Sequence, residues 1–207
     1  MKNNTLLLVL LVLATFFLSE LTKYLFNTND LVFDSLLSKY NYEEADSLFS
    51  KIRKWQLLTY LLIPIFFLIK TNLIAIILNI GSFFMDINID HKYLLNIVLK
   101  AEFVFIIAGI IKILVLISSY ESIDIYEIQQ YSPLSLANVL DLEQIPLWYH
   151  YPLQVLSLFE LGYIAIMIYV LAKKVNLKKA ISIISISYLP ALLFWIGLLV
   201  FIQINIT

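Results

Sequence analysis

The stretch SPLSLANVLDLEQIPLWYHYPLQVLSLFELGYIAIMIYVLAKK, residues 132–174, decides how this chain is read. It begins with prolines and acids, among them Asp141 and Glu143, and passes through the aromatic run Trp148, Tyr149, His150 and Tyr151. It then turns apolar around a single acid, Glu160, and stops on Lys173 and Lys174. Aromatic side chains favour the membrane interface and lysines mark the ends of spans. The order therefore predicts a chain that lies at a membrane surface, turns in, crosses and stops at the far interface.

Composition widens that reading to the whole chain. Of 207 residues, 61% are hydrophobic and 14% charged, with mean hydropathy +0.90. Soluble domains sit nearer ~45–50% apolar and ~25% charged, so lipid is the expected solvent for most of this chain. The net charge of −1 carries no field that would attract nucleic acid. With no cysteine and only His91 and His150, disulfides, thiolate sites, histidine-rich metal sites and a bound cofactor are not expected. The isoleucine, asparagine and lysine bias points to an AT-rich bacterial genome, and so to the inner membrane.

The apolar runs predict an all-α polytopic bundle of six spans: 5–26, 52–70, 71–89, 98–118, 152–172 and 180–202. The first resembles a signal peptide, but no small-x-small cleavage site follows Leu18 and Ser19, so an uncleaved helix is expected. Lys70, Thr71 and Asn72 are read as the turn between the second and third spans. Pro64 and Pro190 predict kinks, and Gly81 with Ser82 a small face for close helix contact. Ser132 and Pro133 read as the cap and first residue of a short helix through Leu140.

Between the first two spans, 27–54 is polar and amphipathic. Ala45, Leu48, Phe49 and Ile52 recur at helical spacing, behind Asn41 and Glu44 as a capping box. That face is expected to lie on lipid headgroups or to dock a partner. The 119–151 loop is acidic and aromatic. With the KKVNLKK turn placed in the cytoplasm, alternation of six spans puts 27–54 inside, 119–151 outside, and the amino terminus outside.

Intramembrane charges are the candidate site. Lys112 and Glu160 fall at similar distances from the outer ends of their predicted spans, so they are expected to pair, because an unpaired charge at this depth costs at least ~2.5–3.5 kcal/mol. Lys100 and Glu102 are expected at the cytoplasmic interface, as snorkelling anchors or partner contacts. No HExxH, GxSxG or Walker motif is present, so no enzymatic activity is expected.

From residue 131 onward the motifs also follow a known pattern. The PLSL turn at Pro133–Leu136, the LFELGY core at Leu158–Tyr163 and the basic Lys173–Ala180 loop resemble the carboxy-terminal half of bacterial Yip1-type membrane proteins. KAEFVFIIAG at 100–109 resembles the start of that family's preceding helix. The resemblance implies about five spans with a cytoplasmic amino terminus, against which the Thr5–Phe26 helix is an addition. It speaks to fold more than to function. The expected role is a scaffold or accessory subunit contacting the bilayer and either another membrane protein or a second copy. The alternative is a small-solute or ion permease using Lys112 and Glu160.

Overall fold

The computed structural model describes the chain except residues 1, 119–124, 141, 143–144 and 207. In chain order the helices are α1 (Lys2–Phe26), α2 (Thr28–Leu37), α3 (Tyr42–Phe84), α4 (His91–Ser118), α5 (Ile125–Gln130), α6 (Leu147–Val155), α7 (Leu158–Ala172) and α8 (Leu177–Ile206). No strand forms among the described residues, so the chain is an all-α helical bundle. Helices α1, α3, α4 and α8 are long and apolar enough to cross a membrane, and α7 is a shorter apolar helix. Large apolar side chains cover their outer faces, including Phe17, Leu61, Phe66, Ile69, Phe83 and Phe194. A surface of this kind is compatible with lipid.

The spans predicted at 52–70 and 71–89 are one helix, α3, about 65 Å long at ~1.5 Å per residue. The expected turn does not form because its polar residues are satisfied within the helix. The Thr71 hydroxyl donates to the Phe67 carbonyl at 2.7 Å, and the Asn72 amide to the Leu68 carbonyl at 2.8 Å. No glycine or proline stands there to break the helix. The helix starts where the sequence indicates, with the Asn41 side chain accepting from the Glu44 N–H at 2.9 Å. It ends at Met85 and Asp86, the latter at φ 54°, where the Ile87 N–H returns to the Ser82 carbonyl.

Fusing two spans changes the direction of everything before them. Asn4 donates to the Lys92 carbonyl and accepts from Asn96, while Leu18 lies against Gly109. Both pairs keep nearly the same sequence offset, so α1 and α4 run parallel. The amino terminus, the 85–90 turn and the start of α4 therefore share one end of the bundle. The KKVNLKK turn joins them there, since the Tyr93 hydroxyl bonds the Val170 carbonyl and Lys174 lies over the Tyr93 ring. We call this the turn end. At the opposite, head end, Phe26 clusters with Ile113, Leu116 and Ile128, and Lys39 donates to the Tyr126 hydroxyl at 3.1 Å. The 27–54 segment and the described part of the 119–151 loop thus lie on the same end, not on opposite sides as six spans would require. The basic residues of the 27–54 segment and those of the KKVNLKK turn, which six spans would place on one side, therefore lie at opposite ends. Of the predicted acidic loop residues, Glu121, Asp124, Asp141 and Glu143 lie outside the described residues.

The span predicted at 152–172 is also broken. Helix α6 stops at Val155, and Leu156 and Ser157 leave the helix before α7 begins. Backbone groups freed by the break are taken up by the 133–136 turn. The Leu136 N–H donates to the Leu156 carbonyl and the Leu158 N–H to the Leu134 carbonyl, both at 3.0 Å, forming an isolated bridge between Ser135 and Ser157. Pro133, Ser135 and Ala137 are buried. The helix expected through Leu140 is replaced by this turn, with Leu134 at φ 53°, and one short 3-10 segment at Leu136–Asn138. His150 braces the loop through the carbonyls of Leu142 and Ile145 at 3.1 and 3.0 Å.

The small face at Gly81 and Ser82 does its expected work. A Cβ at position 81 would stand 2.6 Å from the Ser187 Cβ, so glycine is what allows α3 to touch α8. Helix order and ends can be checked directly. Topology reporters fused after residue 30 and after residue 140 are expected to report the same side of a membrane; opposite sides would exclude this fold.

Candidate functional site

Where α3, α4, α7 and α8 meet, five polar or charged side chains converge on the interior. Glu102 lies ~16 Å along α4 from His91, Glu160 ~18 Å along α7 from Ala172, and Tyr188 ~16 Å along α8 from Leu177. Helix α7 is antiparallel to both of its neighbours. Tyr93 meets Val170 and Phe105 meets Tyr163 on α4, and Tyr163 meets Tyr188 on α8. The three depths therefore coincide near the middle of the bundle.

Lys70 enters this layer from α3 and forms an ion pair with Glu102 at 2.8 Å. The Glu102 side chain is 1% exposed and the Lys70 side chain 33%. The ammonium also lies 4.7 Å from the Phe105 ring centroid and 5.9 Å from that of Tyr163, so two aromatic faces share its charge. Glu160 accepts a hydrogen bond from the Tyr188 hydroxyl at 2.6 Å. It stands in the first turn of α7, behind a Ser157 cap that accepts its N–H at 3.2 Å, where the helix dipole favours a carboxylate. Tyr163 fills the centre of the layer and is fully buried. Its hydroxyl and the Glu102 Oε1 are buried without a hydrogen-bond partner among the described residues.

Lys112 and Glu160 form no ion pair. The expectation counted depth for Glu160 from a span beginning near Pro152, but α7 begins only at Leu158, after the break. Measured along the helices, Lys112 lies ~32 Å from the turn end and Glu160 ~18 Å, too far apart in depth to meet. Lys112 sits near the head end, half-buried, with no ion-pair partner among the described residues. Glu102 is likewise not an interfacial anchor, since it is in the core, whereas its neighbour Lys100 is exposed. Two residues, about half a helical turn, separate the outward Lys100 from the inward Glu102, and the sequence alone places both at the interface.

The amphipathic face of α3 has an intramolecular partner. Ala45 is fully buried, and Phe49 meets Phe33 of α2 edge to face at 5.3 Å. Leu48 and Ile52 are half-buried on the same face. The face expected to lie on headgroups or dock a partner is covered in part by α2.

The residue that sequence reasoning passed over is Lys70, read as a turn residue. A lysine between two long apolar runs with no helix breaker beside it was the available signal. Among the described residues no three His, Asp or Glu side chains converge in a way that would hold a metal ion. The layer consists of one cation, two carboxylates and two phenols, which can exchange protons and hydrogen bonds but present no activated nucleophile. Comparison with protein-family models, curated proteins and solved structures finds no match to this chain.

The partners in this layer make separable predictions for thermal unfolding in detergent. Lys70→Met leaves the buried Glu102 charge uncompensated and is expected to destabilise by about 3–5 kcal/mol. Adding Glu102→Met is expected to recover most of that loss, and a double variant no better than the single would exclude the pair. Tyr188→Phe removes the donor to Glu160 and is expected to cost about 1.5–3 kcal/mol.

Proposed function

We propose that this chain is a multi-pass protein of the bacterial inner membrane that works as a non-enzymatic scaffold or accessory subunit of a membrane assembly. The observation that carries the reading is Lys70. Its carboxylate partner is buried in mid-bundle, yet a third of the lysine side chain remains reachable from outside the chain. Charged side chains at this depth in a bilayer face protein or a water-filled cavity, not lipid. A helix of another membrane protein, or of a second copy, laid over Lys70 completes its burial. The exposed apolar residues around it on α3, Phe66, Ile69 and Leu73, supply the contact surface.

Orientation belongs to the same proposal. The turn end faces the cytoplasm, because the short basic Lys173–Lys179 turn and the amino terminus lie there together. A cytoplasmic amino terminus is also what the Yip1-type resemblance implies.

A second reading has its own support. Broken helices beside polar mid-depth residues are a recurring arrangement in secondary transporters, and the break at Leu156 and Ser157 directly precedes Glu160. Under that reading the chain is a small-solute or ion permease working through Glu160, Glu102 and Lys70.

A photo-crosslinking amino acid at Ile69 or Leu73, in cells, separates the two. The scaffold reading expects a discrete protein adduct at these positions and none at the equally exposed Leu193 on α8. Adducts to lipid alone would overturn it. In proteoliposomes, an ion or solute flux abolished by Glu160→Gln would establish the permease instead.

A further inference from the structure

At the head end a cleft of about 590 Å³ opens between the end of α1, the start of α2 and the middle of α3. Its floor is a hydrogen-bonded set in which the Tyr60 hydroxyl contacts both Glu20 and Lys23. Glu20 and Lys23 also pair with each other at 3.3 Å, and the Lys23 ammonium lies 4.4 Å from the Tyr60 ring centroid. The charges of Glu20 and Lys23 thus cancel within the cleft. Three others lining it, Asp30, Arg53 and Lys54, are exposed and form no ion pair or side-chain hydrogen bond among the described residues. What remains on offer is two cations and one carboxylate.

Depth tells where this cleft sits. Glu20 and Lys23 stand about 24 and 28 Å along α1 from Asn4 at the turn end, just within the ~30 Å hydrocarbon thickness of a bilayer. Asp30, Arg53 and Lys54 lie farther out, at headgroup level. Phe17 on α1 and Leu58 and Leu61 on α3, within three residues of the lining Glu20 and Tyr60, are exposed and offer an acyl chain apolar surface.

We propose that this cleft binds the headgroup of a phospholipid carrying a primary amine, of the phosphoethanolamine type. The phosphate sits between Arg53 and Lys54, and the ammonium donates to the Asp30 carboxylate. This ligand gives every unpaired charge of the cleft an opposite partner. A purely anionic headgroup can place its phosphate between the same two cations but brings no ammonium to pair with Asp30. A quaternary amine has no N–H to donate, and Lys23 already covers the Tyr60 ring.

The test is native mass spectrometry of the full-length protein in mild detergent, titrated with phosphatidylethanolamine, phosphatidylglycerol and phosphatidylcholine of matched acyl chains. The ethanolamine lipid is expected to be retained in preference to the other two. Asp30→Asn is expected to abolish its advantage over the glycerol lipid. Arg53→Gln with Lys54→Gln is expected to weaken retention about tenfold, the scale of a lost charge-assisted hydrogen bond. Arg53→Lys, which keeps the charge, is expected to retain the lipid, so that a loss in the glutamine pair reports charge and not misfolding. Equal retention of all three lipids by the unaltered chain would overturn the proposal. So would soluble phosphoethanolamine binding as tightly as the lipid, which would make the ligand a free metabolite.

Discussion

The ion pair between Lys70 and Glu102 is the constraint on which the rest of the bundle depends. A carboxylate taken this far from water is tolerated only if a cation and further favourable contacts come with it, since the desolvation penalty is several kcal/mol per ion. Lys70 supplies the charge, and Phe105 and Tyr163 supply aromatic faces for it. For the pair to form, α3 must carry residue 70 into the centre of the bundle as part of a helix, not around a turn at its edge. A continuous α3 sets α1 parallel to α4, and that in turn fixes which loops share an end.

A second constraint comes from backbone polarity. The break between α6 and α7 frees carbonyl and amide groups at a depth where unpaired ones cost several kcal/mol each in an apolar medium. The 133–136 turn answers this with two backbone hydrogen bonds and buries Pro133, Ser135 and Ala137 in doing so. The break has a second consequence: it starts a new helix whose first turn holds Glu160, so the carboxylate meets a helix amino terminus and the Tyr188 hydroxyl. A continuous helix from Pro152 would have given Glu160 neither.

Together these features divide the molecule by depth. The middle is a polar layer linking four helices and open to the outside at Lys70. The turn end is compact and basic. The head end carries the α2 and α3 hairpin, the aromatic loop, and a charged cleft where the apolar helices give way to polar residues. Lys70 and the charged groups of the cleft stay open to the outside, whereas the interior side chains are largely committed to one another.

The sequence by itself determined the class of structure: long apolar runs in a chain 61% hydrophobic and 14% charged give apolar helices compatible with a membrane. It also determined local events whose partners lie within a few residues, such as the Asn41 cap on the Glu44 N–H, and it marked Gly81 as a small-residue position without showing that Ser187 of α8 would face it. Tertiary structure alone decided the partner of each buried charge. Periodicity shows that Glu102 and Glu160 lie on helices but not which neighbour each faces, and depth can be counted only from where a helix truly begins. Thr71 and Asn72 look like a turn because they are polar; they are helical because their side chains bond the carbonyls of the preceding turn. Glu160 looked like a partner for Lys112 because the break before Leu158, held open by a loop more than twenty residues earlier in the chain, leaves no periodic signal of its own.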